Sequence, residues 1–274
     1  MFEKILTNIS NQPPLVHSIT NYVTVNDCAN IVLACGGAPI MADDINEVEE
    51  IIAICNALVI NIGTLNERTV AAMIKAGKKA NSLGRPVILD PVGAGASTLR
   101  TNTVFKLLKE VQFSVIRGNV SEIKTIDQGS GTTKGVDADI SDAVNEENLD
   151  QMVVFAKALS AKTGAVIAIT GAIDIVADRQ KALVIRNGHP MMSRITGTGC
   201  MLTTVIGSYC GANPDELLLA TAAAVSSLGL CGELAYAKVE AHGAGTASFR
   251  TYLIDAMSRM DSQTLEGGKK VETR

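Results

Sequence analysis

Short apolar runs alternate with longer stretches of helical periodicity along most of this 274-residue chain. Ala57–Gly63 (ALVINIG), Pro86–Asp90 (PVILD), Phe113–Arg117 (FSVIR) and Ala165–Thr170 (AVIAIT) are rich in Val and Ile with few polar breaks. A half-exposed strand would alternate apolar and polar residues, so these runs mark strands buried on both faces, as in a parallel sheet covered by helices. Between them the pattern predicts helices over Glu67–Leu83, closed by Gly84, from about Thr98 to Glu110, and from Asn148 to Thr163. Repeated strand–helix units imply right-handed crossovers and an α/β fold.

Two stretches depart from this rhythm. Asp174–Asp178 and Lys181–Gly188 flank Arg179-Gln180 and predict an antiparallel hairpin after the parallel set. Beyond Gly197 the pattern is helical nearly to Met260, punctuated by Gly and Pro near 211–214. Asp127–Asn145 is polar and rich in Gly, Asp and Ser, which predicts a loop or a poorly ordered excursion. Residues 265–274 read as a mobile tail. With no repeat and no linker between two cores, residues 1–264 are expected to form a single domain.

Composition narrows the function. The chain is 47% hydrophobic, and 24 basic against 28 acidic residues leave a net charge of −4. That balance lacks the basic footprint of a nucleic-acid binder or of a surface for anionic lipid, so neither partner is expected. Leu217–Gly232 is strongly apolar but short of the roughly 20 residues that span a bilayer, and reads as a buried helix. The first residues carry an acidic side chain and no long apolar core, unlike a signal peptide. Six cysteines without C-x-x-C spacing suggest reduced thiols, and a cytoplasmic location is expected.

In an open α/β sheet, ligands bind beyond the carboxyl ends of the strands. The residues placed there are Asn61, Gly63 and Thr64, then Asp90 with Gly93 and Gly95, then Arg117 with Asn119, then Thr170 and Gly171. All are polar, glycine or small, which is the composition of a small-molecule site. The segment Ile195–Cys200 (ITGTGC) then leads directly into a helix. Glycines before a helix let backbone N–H groups converge where the helix dipole is positive, so Gly197, Thr198 and Gly199 form a candidate anion site suited to phosphate. No Lys-Ser/Thr pair follows, so it is not a Walker A loop. Cys200 falls in the first turn, where a helix N-terminus is expected to lower a thiol pKa from about 8.5 and make it a candidate base or acceptor. Asp90 and Glu122 are two carboxylates near strand ends facing that anion site, sensible Mg²⁺ ligands directly or through water. Asn119 and Glu122 equally suit a helix cap with its acidic partner. Arg117 suits a phosphate or a pairing with Asp90.

Taken together, the runs VHSITNYVTVND (16–27), APIMA (38–42), DPVGAG (90–95), RGNVSE (117–122) and TGTGC (196–200) closely resemble the hydroxyethylthiazole kinase family, over about residues 1–260. The resemblance implies a ribokinase-like three-layer αβα fold with a mostly parallel central sheet. It also implies phosphorylation by ATP and Mg²⁺ of the primary alcohol of 4-methyl-5-(2-hydroxyethyl)thiazole, which salvages the thiazole half of thiamine. On that resemblance Met41 and Gly197 contact the thiazole, with Asn21 and Gly63 as weaker matches. Arg117 and Thr170 contact ATP, and Asp90 and Glu122 handle Mg²⁺ and phosphate. Cys200 stands where most ribokinase-like kinases place an Asp base. A homotrimer with active sites between subunits is the family's usual assembly.

Other readings stay open on the same residues: a related kinase acting on a pyrimidine or pyridoxal alcohol, a dehydratase that repairs hydrated nicotinamide cofactors, or a catalytically silent binder. Cys200 and the Met41 segment weigh against the first. The missing Asp after Gly-Thr-Gly weighs against the second, and the full set of polar site residues against the third.

Overall fold

A computed structural model describes residues 1–128 and 143–274. Of the loop expected over Asp127–Asn145, residues 129–142 lie outside the described residues. The chain opens with α1 (Glu3–Asn11), β1 (Leu15–Ile19), α2 (Val25–Ala34), β2 (Ala38–Ile40) and α3 (Val48–Ile54). The strand–helix units follow as β3 (Ala57–Asn61), α4 (Glu67–Ser82), β4 (Val87–Asp90), α5 (Thr98–Glu110), β5 (Val115–Gly118), α6 (Val120–Gln128), α7 (Leu149–Thr163) and β6 (Val166–Ile169). The antiparallel part is β7 (Asp174–Ala177) and β8 (Ala182–Ile185). After a short tight turn of helix at Pro190–Arg194 come α8 (Thr198–Ala212), α9 (Leu217–His242), α10 (Thr246–Met257), α11 (Ser262–Gly268) and β9 (Val271–Thr273).

Nine described strands form one sheet in the order β2-β1-β3-β4-β5-β6-β7-β8-β9. The first six run parallel, β7 and β8 form the antiparallel hairpin that the pattern predicts, and β9 adds antiparallel to β8. Successive residues of a strand face opposite sides, and both sides here are apolar. Along β3, Ala57 and Val59 join a core beneath α1, α2, α8, α9 and α10, whereas Leu58 and Ile60 join a second core beneath α3 to α7. Each fully buried Ile or Leu in those strands contributes about 1.5–3 kcal/mol of transfer free energy, and the three-layer αβα arrangement covers both faces of the continuous runs.

Local chemistry sets the helix ends. Asn66 caps α4 by accepting from the Thr69 N–H at 3.0 Å, and Gly84 follows the helix at φ +64°, the left-handed conformation that favours glycine. The Ser97 side chain caps α5 in the same way.

Two expectations need correction. Residues 265–274 are not a free tail: α11 ends at Gly268 and β9 pairs with β8, matching Ile185 with Val271 and Leu183 with Thr273. The backbones of Ala182 and Arg274 exchange hydrogen bonds of 2.8 and 3.0 Å. An open β8 edge would leave backbone groups unpaired, and this polar segment covers it. The apolar stretch at Leu217 also continues further than expected, as one 26-residue helix, α9. Among the described residues it is the one helix long and apolar enough to cross a membrane, yet 72% of its apolar window is buried within the fold.

Candidate active site

The parallel strands end along one rim, and α8 starts there. Asn61 closes β3 and Asp90 closes β4, and the two are direct cross-strand partners. Their side chains meet where α8 begins. Asn61 Nδ2 donates to Asp90 Oδ2 at 2.7 Å and to Cys200 Sγ at 3.2 Å. Asn61 Oδ1 accepts from Asn21 Nδ2 at 2.9 Å and from the Gly63 N–H at 2.9 Å. Asn21 Nδ2 also donates to Cys200 Sγ, at 3.3 Å, while Asn21 Oδ1 accepts from Thr24. The Cys200 sulfur is therefore held by two amide donors. A Cβ on Gly63 would stand 2.8 Å from Asn21 Nδ2, so glycine is what lets this network close.

Asp90 is fully buried. Its Oδ2 also accepts from Thr203 Oγ1 at 2.8 Å, on the first turns of α8. Its Oδ1 is buried without a hydrogen-bond partner, 3.7 Å from Arg117 Nη1. Burial raises the Asp90 pKa to about 6 against the pull of Arg117, and the Glu122 charge pushes it further up.

Gly197 caps α8 at φ +91°, a left-handed conformation, and a Cβ there would press on Thr24 at 2.7 Å. The N–H groups at the start of a helix have no partner within the helix. Arg117 leans on that helix start: a Cβ on Gly199 would sit 2.5 Å from its Nη1. Arg117 Nη2 donates to Thr170 Oγ1 at 2.6 Å, and its Nε is buried without a partner. A guanidinium and a helix N-terminus at one spot sum two positive features, which suits an anion. Thr198 Oγ1 turns away from this spot and donates to the Met192 carbonyl at 3.2 Å.

Glu122 has both oxygens engaged, Oε1 by the Gly93 N–H and Oε2 by the Asn119 N–H, each at 2.8 Å. Asn119 Oδ1 accepts in return from the Glu122 N–H, so the cap and the acid work together: α6 is capped and the Asp90–Gly95 turn is tied to it. A cavity of about 500 Å³ opens beside these groups, with Arg117, Thr170, Asp174, His189, Thr198 and Leu228 in its lining.

The structure thus gathers Asn21, Gly63, Asp90, Arg117, Glu122, Thr170, Gly197, Gly199 and Cys200 on one rim. Met41 leaves the same rim at its outer end, one strand beyond β1, whose exit carries Asn21. It follows β2, the edge strand, with β1 and β3 between it and β4. The Ala42 carbonyl beside it meets buried His17 Nε2 at 2.7 Å. One chemical expectation is reversed: the Cys200 pKa is raised, by burial first and by the Asp90 charge second, despite its place in the first turn of α8. Residues beyond the expected set also matter. Arg100, on α5, donates to the carbonyls of Ile62, Gly63 and Val92 and so staples the exits of β3 and β4 together. Its sequence context is an ordinary helix face, which carries no such signal. Asp174 opens β7, and its Oδ1 accepts from the Gly171 N–H at 2.8 Å; burial pushes its pKa up to about 7. A lone acid heading a four-residue apolar strand beside Thr170-Gly171 was the available clue.

A sequence profile of the hydroxyethylthiazole kinase family matches residues 6–263. The chain belongs to the hydroxyethylthiazole kinase family. A hydroxyethylthiazole kinase of Clostridium acetobutylicum is 58% identical over 273 residues, covering 100% of both chains. The solved hydroxyethylthiazole kinase of Pyrococcus horikoshii OT3 is 33% identical and superposes with a TM-score of 0.88, covering 100% of this chain and 98% of that one. A ribokinase-like superfamily protein from Enterococcus faecalis V583 shares only 12% identity but covers 94% of this chain and 95% of its own at a TM-score of 0.60, which shows a shared fold. The protein is accordingly a kinase with a ribokinase-like αβα fold. Members of the hydroxyethylthiazole kinase family phosphorylate the thiazole alcohol in thiamine salvage, and this is the activity that full-length relatedness assigns to the chain.

Proposed function

We propose that the γ-phosphoryl group of ATP passes to the hydroxyethyl alcohol of the thiazole at the junction of Cys200, the α8 N-terminus and Arg117. The observation that carries this assignment is the contact of the Arg117 guanidinium with Gly199, which stacks a fixed positive charge on a helix N-terminus beside a 500 Å³ cavity. Phosphoryl transfer needs alignment and charge neutralisation more than covalent help from the protein. The N–H groups of Gly197, Thr198 and Gly199 take up charge on the transferred group, and Arg117 with Thr170 binds the ATP phosphates. The buried, unpartnered Asp90 Oδ1 suits a divalent cation. Asp90 would hold Mg²⁺ with the nucleotide's own oxygens, and Glu122, already engaged at both oxygens, would act through water. When bound, the ion offsets charge on the phosphates.

Cys200 orients the alcohol. Its sulfur is fixed by Asn21 and Asn61, and its raised pKa makes it an acceptor and positioner rather than a ready thiolate. A loose transition state develops little charge on the nucleophile early, so a weak base suffices. Gly197, Asn21 and Gly63 border the place for the thiazole. Met41 completes it in a homotrimer with sites between subunits, a reading supported by its position at the sheet edge and by exposed Tyr22, Val23 and Leu33 on the neighbouring segment. The assembly works in the cytoplasm.

The test is direct. Purified protein is incubated with MgATP and the hydroxyethylthiazole, and the phosphate ester is followed by mass spectrometry, with pyridoxal and the hydroxymethylpyrimidine as parallel acceptors. Thiazole phosphate should dominate. Preferential phosphorylation of either other alcohol would overturn the substrate assignment, and light scattering that gives any mass other than three chains would overturn the trimer.

A further inference from the structure

The far wall of the cavity is the segment 187–192, which leaves β8 and leads toward α8. It contains no regular strand pairing of its own, so its position depends on what it leans on. Three residues of α9 at helical spacing hold it. Gly229 admits the backbone, since a Cβ there would lie 2.7 Å from the Asn187 carbonyl oxygen. Glu233 Oε1 accepts from Asn187 Nδ2 and from the Gly188 N–H, both at 3.0 Å. Tyr236 stacks on the His189 ring, with centroids 3.5 Å apart and planes 18° from parallel.

The other support comes from the end of the chain. Buried Asn187 accepts from the Lys270 N–H at 2.7 Å through Oδ1 and donates to the Gly268 carbonyl at 2.9 Å through Nδ2. Lys270 Nζ reaches Glu233 Oε2 at 2.8 Å. One carboxylate thus joins α9, the cavity wall and the segment entering β9, and none of these groups lies in the Asp90–Cys200 cluster. Gly188 itself sits at φ +141°, a positive value that favours glycine and lets its N–H face Glu233.

We propose that Glu233, acting through Asn187 and Gly188, is a positioning residue for the nucleotide, and that the segment entering β9 is part of the same device. The inference rests on the cavity being the ATP site. Holding a wall in its bound shape removes an ordering cost from binding, so its loss falls on nucleotide affinity and leaves the chemical step alone. Glu233→Ala should raise KM for MgATP about fivefold or more while kcat and KM for the thiazole stay within about twofold. Glu233→Gln keeps an acceptor for both N–H groups and loses only the half-exposed pairing with Lys270, so it should restore the wild-type KM. Tyr236→Leu, which unstacks His189 without touching Glu233, should shift the nucleotide KM in the same direction and serves if Glu233→Ala is insoluble.

Arg117→Ala is measured alongside. If it raises the nucleotide KM while Glu233→Ala and Tyr236→Leu do not, the positioning inference is wrong and the cavity assignment stands. If Arg117→Ala leaves nucleotide KM unchanged, the cavity assignment fails first. Parallel rises in both KM values for Glu233→Ala, not reversed in Glu233→Gln, would reduce Glu233 to general structure and overturn the proposal.

Discussion

Asn61 and Asp90 are partners across two adjacent parallel strands, and the Asn61 amide donates to the buried Asp90 carboxylate at 2.7 Å while passing its second hydrogen to Cys200. A buried carboxylate depends on such donors, and the amide also ties Asp90 to Cys200, the two residues proposed to face Mg²⁺ and the alcohol. Asn61→Ala leaves Asp90 with Thr203 as its one hydrogen-bond donor and takes one of two amides from Cys200. Leaving a buried charged group short of a donor costs about 1–3 kcal/mol. The variant should melt several degrees lower and lose about 10- to 100-fold in kcat/KM; calorimetry and steady-state rates check both. Unchanged kcat/KM would show that the cluster does not align the substrate.

Cys200 makes a sharper case because two substitutions there should differ in how much activity they leave. An aspartate at this place can accept from Asn21 and Asn61 and present the same face to an alcohol. Cys200→Asp should keep at least about a tenth of wild-type kcat, and Cys200→Ala should lose about 100-fold, the usual span for a positioned acceptor. If both variants are equally inactive, acceptance of a hydrogen bond at this position is not what the reaction uses.

Gly199 tests the anion site without removing any charge. A methyl group there would stand 2.5 Å from Arg117 Nη1, so Gly199→Ala must displace the guanidinium. The helix itself tolerates alanine better than glycine. Thermal stability should therefore change little while kcat/KM for ATP falls about 10- to 100-fold, the scale for misplacing one stabilising group. A variant with normal ATP kinetics would mean that Arg117 is not in contact with the phosphates.

Glu266 supplies a pH signature far from the site. Lys269, the Phe2 N–H at 2.7 Å and the amino terminus together lower its pKa to about 2, from an ordinary 4.5. A depressed carboxylate pKa adds stability that is complete above about pH 4.5 and disappears as pH falls toward 2. The side chain is partly exposed, so after solvent screening Glu266→Gln should cost about 1 kcal/mol at pH 7. Melting curves of the two proteins should converge between pH 4.5 and 2; a gap that persists at pH 2 would assign the effect to packing.

The strand runs ALVIN, VILD and VIAI and the helices between them were legible because burial on both faces leaves no polar alternation, and caps such as Asn66 and Gly84 punctuate the chain locally. The strand-end residues Asp90, Arg117 and Thr170 were legible for a related reason: in a parallel sheet the residue that follows an apolar run is delivered to the ligand edge. Arg100, Thr203 and Glu233 were not, since each sits on an ordinary helix and acquires its role only from backbone groups brought to it across the fold. The Cys200 pKa shows the limit most clearly. A helix N-terminus, which is local, argues for a lower value, whereas burial beside Asp90, which is tertiary, raises it and prevails. The polar end of the chain likewise carries no periodic signal, and only the unpaired edge of β8 decides that it becomes a strand. Local pattern determines elements and the edge at which they end; the balance of burial, charge and hydrogen bonding at that edge exists only once distant segments meet.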